Sequence, residues 1–167
     1  MLPILKNIIS RRPTEEISLS DPEFEAVGRE LKTAVDLRMR RSLAIRELDS
    51  GSDNATEIEI NLLSSPHYDV ERFGVSFVAS PRHADLLLVT GAVTRNMEVA
   101  VRKTYEAMPA PKYVVAVGDD ACDGGIYRGT YAVLGGVDAV LPVDLKIPGN
   151  PPEPIEILRG ILALMTR

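Results

Sequence analysis

Apolar positions along this chain recur with two different periods, and the alternation between them predicts its elements. Between Met1 and Arg12, Leu2, Ile4, Leu5, Ile8 and Ile9 fall at helical spacing, with Lys6, Arg11 and Arg12 on or beside the other face and Pro13 closing the segment. This amphipathic stretch reads either as a helix that docks on another subunit or a membrane surface, or as a frayed terminus. A second helix follows. Ser20 and Glu23 form a capping box, Asp21-Pro22 is an alternative start, and Phe24, Val27, Leu31, Ala34 and Val35 make one stripe through to about Arg40.

From there, short strand-like runs alternate with helical ones. The strands are expected at Leu43 to Leu48, Gly74 to Ser80, Asp85 to Gly91, Tyr113 to Gly118 and Asp138 to Val143, and three of them are nearly all apolar, as strands buried on both faces must be. Helices are expected at about Asn54 to Leu63 and from Thr94 as N-cap through Met97, Val101, Tyr105 and Met108. A short one is expected around Ile126 to Leu134, stopping at Gly135-Gly136, and a last one opens at Pro151-Pro152 and runs through Ile155, Leu158, Ile161 and Leu162. This pattern predicts an α/β fold, a flavodoxin-like doubly wound parallel sheet with helices on both faces. Residues 1–40 read as a helical extension and 41–167 as the α/β domain.

Ligands of such folds sit beyond the carboxyl ends of the strands. Three loops qualify: "DSGSDNATE", "GDDACDGG" and "IPGNPPEP", each rich in turn-forming residues.

Composition narrows the function classes. With 45% hydrophobic and 26% charged residues the chain is of soluble globular type. Its apolar runs fall far short of the roughly 20 residues a membrane-spanning helix needs. The N-terminus has its charges after the apolar part and no small-residue cleavage site, which argues against a secretory signal. A net charge of −5 gives no footprint for nucleic acid. One basic run, Lys32, Arg38, Arg40, Arg41 and Arg46, reads as a solvated helix face or a patch for a partner or anionic lipid. The single Cys122 excludes an internal disulfide and every multi-cysteine metal site, and the default location is cytoplasmic.

The runs "YDVERFG", "ASPRHADLLLVTG", "MPAPKYVVAVG" and "PVDLKIPG" followed by "PP" and "P", within a stretch from about Arg41 to Leu164, carry a resemblance. The chain resembles the small subunit of membrane-bound, energy-converting NiFe hydrogenases of the formate hydrogenlyase type, and the related 20 kDa (B) subunit of respiratory complex I. The resemblance implies a flavodoxin-like domain docked on a large catalytic subunit beside a membrane arm, and the amphipathic stretch Met1 to Arg12 is then the expected contact with that arm. Its place would be peripheral, on the cytoplasmic side of the inner (plasma) membrane. It also implies one four-iron, four-sulfur cluster held by four cysteines. In this sequence those positions carry Asp53, Thr56, Asp120 and Asn150, with Arg82, His83 and Cys122 nearby. One thiolate at a non-ligand position cannot hold a cluster that needs sulfur donors. The expectation is therefore a subunit with no cofactor that keeps the assembly interface of an oxidoreductase family without electron transfer.

Three other chemistries bear on the same loops. Oxygen donors from Asp53, Asp120 and Asn150, with Thr56 and Asp119 or Asp123 near, would suit Mg²⁺ or Ca²⁺, although each has an ordinary capping or turn role. A nucleophilic Cys122 with His83 or His67 as base has no support in the spacing. A nucleotide site lacks both a G-x-G-x-x-G run and a P-loop lysine.

Overall fold

The computed structural model describes residues 21–167, so the helix expected over Met1 to Arg12 and the Ser20 cap lie outside the described residues. Helix α1 (Pro22–Met39) starts at Asp21, whose side chain accepts from the Glu23 N–H. There follow β1 (Leu43–Asp49), α2 (Ala55–Leu63), β2 (Val75–Phe77), β3 (Leu86–Thr90), β4 (Val93–Thr94), α3 (Glu98–Ala107), β5 (Tyr113–Val117), α4 (Asp119–Asp123), β6 (Val133–Gly135), β7 (Leu145–Ile147) and α5 (Pro154–Met165). Five strands form one parallel sheet in the order β2-β1-β3-β5-β7, and β4 pairs antiparallel with β6. With the β4-β6 pair set aside this is the 2-1-3-4-5 order of flavodoxin-like folds.

Side chains alternate across the sheet and divide the interior into two cores. Leu86, Leu88, Val115 and Val117 face one core with Phe24, Leu31 and Val35 of α1, Ile60 of α2 and Leu158 and Ile161 of α5. Leu87, Val89, Val114 and Ala116 face the other with Val101 of α3 and Ala121 and Cys122 of α4. All five residues of β3 are buried, which is why its sequence shows no polar alternation.

Two expected elements move. The run at Asp138 to Val143 is not the fifth strand. Val137–Ala139 forms a 3₁₀ turn and the strand is Leu145–Ile147. Pro142 offers no amide donor, so the ladder forms only beyond it. Ile126 to Leu134 is not a helix either. A helix there would need a buried stripe, but Ile126 and Tyr131 are exposed, and the segment closes as a 3₁₀ turn (Gly125–Tyr127) followed by β6. Two helix starts also shift. Thr94 belongs to β4 and α3 is capped at Met97, while α5 begins at Pro154 behind Glu153, whose N–H bonds Glu156 Oε2.

Nor does the basic run form one solvated face. Arg38 donates to the Tyr113 hydroxyl at 3.2 Å and to the Leu164 carbonyl at 3.0 Å, closing α1 onto β5 and α5. Arg41 grips buried Asp85 through two bonds, of 2.8 and 2.5 Å, and Asp85 Oδ2 also accepts from the Ala44 N–H at 3.0 Å. This carboxylate ties the start of β1 to the start of β3. Asp85→Ala is expected to cost about 1–3 kcal/mol by orphaning the Ala44 N–H and releasing Arg41, read as a lower urea midpoint at unchanged slope.

Candidate functional site

The loops after β1, β3, β5 and β7 meet at the carboxyl end of the sheet. After β1, Asp49 Oδ1 accepts from the N–H groups of Gly51 and Ser52 at 2.7 and 2.8 Å, and buried Ser50 donates to the carbonyls of Thr90 and Gly91 at 2.8 and 2.9 Å. The first loop is thereby stitched to the end of β3. Asp53 Oδ1 accepts from the Ala55 N–H at 3.0 Å, in the capping role its position before a helix suggests, while Asn54 takes the left-handed N-cap position with no side-chain bond of its own.

After β5, Gly118 has φ +90°, and a Cβ there would lie 2.8 Å from Thr56 Oγ1, so only glycine admits this approach. The following turn is locked to the last loop by a reciprocal pair: Asp119 N–H donates to Gly149 O at 2.8 Å, and Gly149 N–H donates to Asp119 Oδ1 at 2.8 Å. Gly125, at φ +48°, leaves room for the Asp120 carboxylate, which any Cβ there would strike. Asp123 Oδ1 accepts from the Gly125 N–H at 2.9 Å.

A cavity of about 560 Å³ opens between these loops, lined by Asp119, Asp120, Cys122, Lys146, Arg128 and Asn150 among others. Of the four positions singled out by the sequence, Asp120 and Asn150 share this cavity. Asp53 acts electrostatically on Asp120, and Thr56 packs on the Gly118 turn. Arg82 and His83, in the 3₁₀ turn Pro81–His83, do not line it. Lys146 was not picked out from the sequence. It lies in the edge strand and donates at 2.6 Å both to the Cys122 carbonyl and to Asp138 Oδ2. A lone lysine in a run otherwise read as scaffold carries no signal of that role.

Burial, then the neighbouring carboxylates Asp53, Asp119 and Asp123, raise the Asp120 pKa above its ordinary value, against a lowering hydrogen bond from the Ile126 backbone. Burial likewise pushes the Cys122 thiol up to about 11 despite the Lys146 charge, and its Sγ faces the Ala116 carbonyl at 3.8 Å. A protonated thiol buried in the second core is not a nucleophile. His67 stacks edge-on against Tyr68 and neither histidine lines the Cys122 cavity.

The donor set at the four positions is two carboxylates, a hydroxyl and an amide. It does not fit a four-iron, four-sulfur cluster, which takes cysteine thiolates. Among the described residues, no group of three or more His, Cys, Asp or Glu side chains is placed to hold a metal ion. Asp53, Asp119 and Asp123 each accept from backbone N–H groups instead.

The comparisons agree with this architecture. The family model described as NADH ubiquinone oxidoreductase, 20 Kd subunit, matches residues 54–164. Formate hydrogenlyase subunit 7 of Escherichia coli is 38% identical over 156 residues, which is 93% of this chain but only 61% of that protein's length. An uncharacterized protein of Methanocaldococcus jannaschii is 46% identical over 127 residues, covering 76% of this chain and 85% of that one. Among solved structures, a chain of the membrane-bound sulfane sulfur reductase, an archaeal respiratory membrane complex, is similar with a TM-score of 0.68 and 36% identity. The match covers 82% of this chain and 75% of that chain. No helix among the described residues is long and apolar enough to cross a membrane.

The raised Asp120 pKa fixes the sign of a pH effect. Its charged form is penalised on folding, so its contribution is undiminished below the ordinary carboxylate range and is lost as pH rises through the raised value. Asp120→Asn, which keeps an acceptor for the Ile126 N–H, should raise Tm modestly at about pH 7, and the gain should vanish below about pH 4. Paired thermal melts across that range measure it.

Proposed function

The chain belongs to the family of the 20 Kd subunit of NADH ubiquinone oxidoreductase, and from that premise we propose that it is a cluster-less structural or coupling subunit. In this reading it holds a hydrogenase-like or complex-I-like large subunit against a membrane arm and carries no electrons itself. The observation that carries the reading is the chemistry of the four loop positions. Asp53, Thr56, Asp120 and Asn150 offer oxygen donors, and the loops are closed by their own hydrogen bonds, with Asp119 and Gly149 bonded reciprocally. Asp, Thr and Asn have no accessible redox couple, so electron tunnelling through this chain would have no stepping stone.

The likeness to a chain of a respiratory membrane complex supports the assembly part of the reading, as does the similarity to a formate hydrogenlyase subunit. So does the surface at the carboxyl end. Ile126, which lines the cavity, and Tyr131 beyond it are 81% and 92% exposed, and Ile58 on α2 is 52% exposed. Exposed apolar side chains beside a polar cavity suit burial against another subunit. The chain would sit peripherally, on the cytoplasmic side of the membrane, with Met1 to Arg12 toward the membrane arm.

Protein purified anaerobically should be colourless and free of stoichiometric iron; a brown preparation with an iron–sulfur spectrum would overturn the cluster-less assignment. The combined Asp53→Cys, Thr56→Cys, Asp120→Cys and Asn150→Cys variant should acquire that spectrum on reconstitution, while the unaltered chain does not. For the assembly, Tyr131→Asp with Ile126→Asp should leave Tm nearly unchanged, since both side chains are exposed. Recovery of a large-subunit relative on the tagged chain should fall at least about tenfold.

A further inference from the structure

Glu57, at the start of α2, is 8% exposed, and neither of its carboxylate oxygens has a hydrogen-bond partner. Buried carboxylates in folded proteins are paired or hydrogen-bonded, because an uncompensated charge away from water is costly. Next to it in space is Glu47 of β1, half-buried and likewise without a hydrogen bond or ion pair among the described residues. Desolvation first, and the Glu57 charge second, raise the Glu47 pKa; Asp49 adds to the effect and Arg46 opposes it. Arg46 is the adjacent residue of the strand, and its Nε is itself buried without a partner. It offsets the charge of the group without bonding to either glutamate.

Arg46 and Glu47 of this group border an open part of the fold, with Glu57 buried beneath it. β2 pairs with β1 only from Leu43 to Ile45, so the outer edge of β1 from Arg46 onward has no strand beside it. A cleft of about 230 Å³ lies there, lined by Arg46, Glu47, Phe77, Val78 and Ala79.

We propose that this cleft is a socket for a cationic side chain, the ammonium or guanidinium of a lysine or arginine on a partner subunit, which pairs with Glu47 and compensates Glu57 behind it. The inference rests on the reading of this chain as a subunit of an assembly and adds the chemistry of one contact. With Glu47, Glu57 and Asp49 against Arg46 alone, the local charge is negative, and a single inserted cation offsets much of it. Apolar Phe77, Val78 and Ala79 would shield the pair from water and strengthen it.

The test compares the isolated chain with the chain recovered from its own membranes. Glu47→Gln and Glu57→Gln, made separately, should each raise the Tm of the isolated chain by removing one of two crowded carboxylates. Each should also lower the amount of large-subunit relative recovered on the tagged chain by about tenfold or more. Glu47→Asp, which keeps the charge, should restore part of that recovery. The proposal is overturned if both glutamine variants recover the large-subunit relative at the unaltered level, or if the loss is accompanied by a lower Tm of the isolated chain. If the unaltered chain recovers no large-subunit relative at all, the assembly reading fails and this contact fails with it; recovery by the unaltered chain with no loss in the variants sinks the contact alone.

Discussion

Leu86–Thr90 is buried on every residue, and a strand buried on both faces needs a helical layer on each side and a parallel neighbour at each edge. Those neighbours are β1 and β5, whose chains leave the sheet at the same end as β3 does. The loops after β1, β3, β5 and β7 therefore crowd together there, and the candidate site follows from the burial of this one strand. Asp85 at the opposite end, gripped by Arg41 and bonded to Ala44, sets the register of β1 against β3 from which those loops begin.

The carboxyl end concentrates negative charge. Asp53, Asp119 and Asp123 add to burial in raising the Asp120 pKa, and the Glu47 pKa is raised on the neighbouring stretch of β1. Asp53, Asp119 and Asp123 are held there by the backbone N–H groups from which they accept. The second core tells a complementary story: Cys122 is spent on packing under Lys146, where burial holds the thiol protonated.

Much of the fold was legible in the residues. The apolar runs at Leu86 and Tyr113 identified buried strands, and the stripe Phe24, Leu31 and Val35 identified a helix, because burial imposes those periods directly; that this helix packs on the sheet was decided by the fold. The misreadings share a cause. "DAVLPV" and the segment around Ile126 are short apolar stretches in which period alone cannot decide between strand, helix and turn. Pro142 settled the first by removing a ladder donor, and pairing of β6 with β4 settled the second. The basic run was misread for a related reason. Arg38 and Arg41 are consumed by partners far away in sequence, Tyr113 and Asp85, which no local pattern can announce.

The sequence by itself determined the layer architecture, the loops that would meet, and the residue types Asp53, Thr56, Asp120 and Asn150 at four positions, since each follows from local period, turn chemistry and matched motifs. Only the tertiary structure decided what those residues do. Asp119 closes on Gly149, Asp53 caps α2, Asp120 fills the space left by Gly125, and Glu57 is left buried without a partner. Hydrogen-bond satisfaction and desolvation depend on which distant backbone groups arrive at a site, and that information exists only once the sheet has closed.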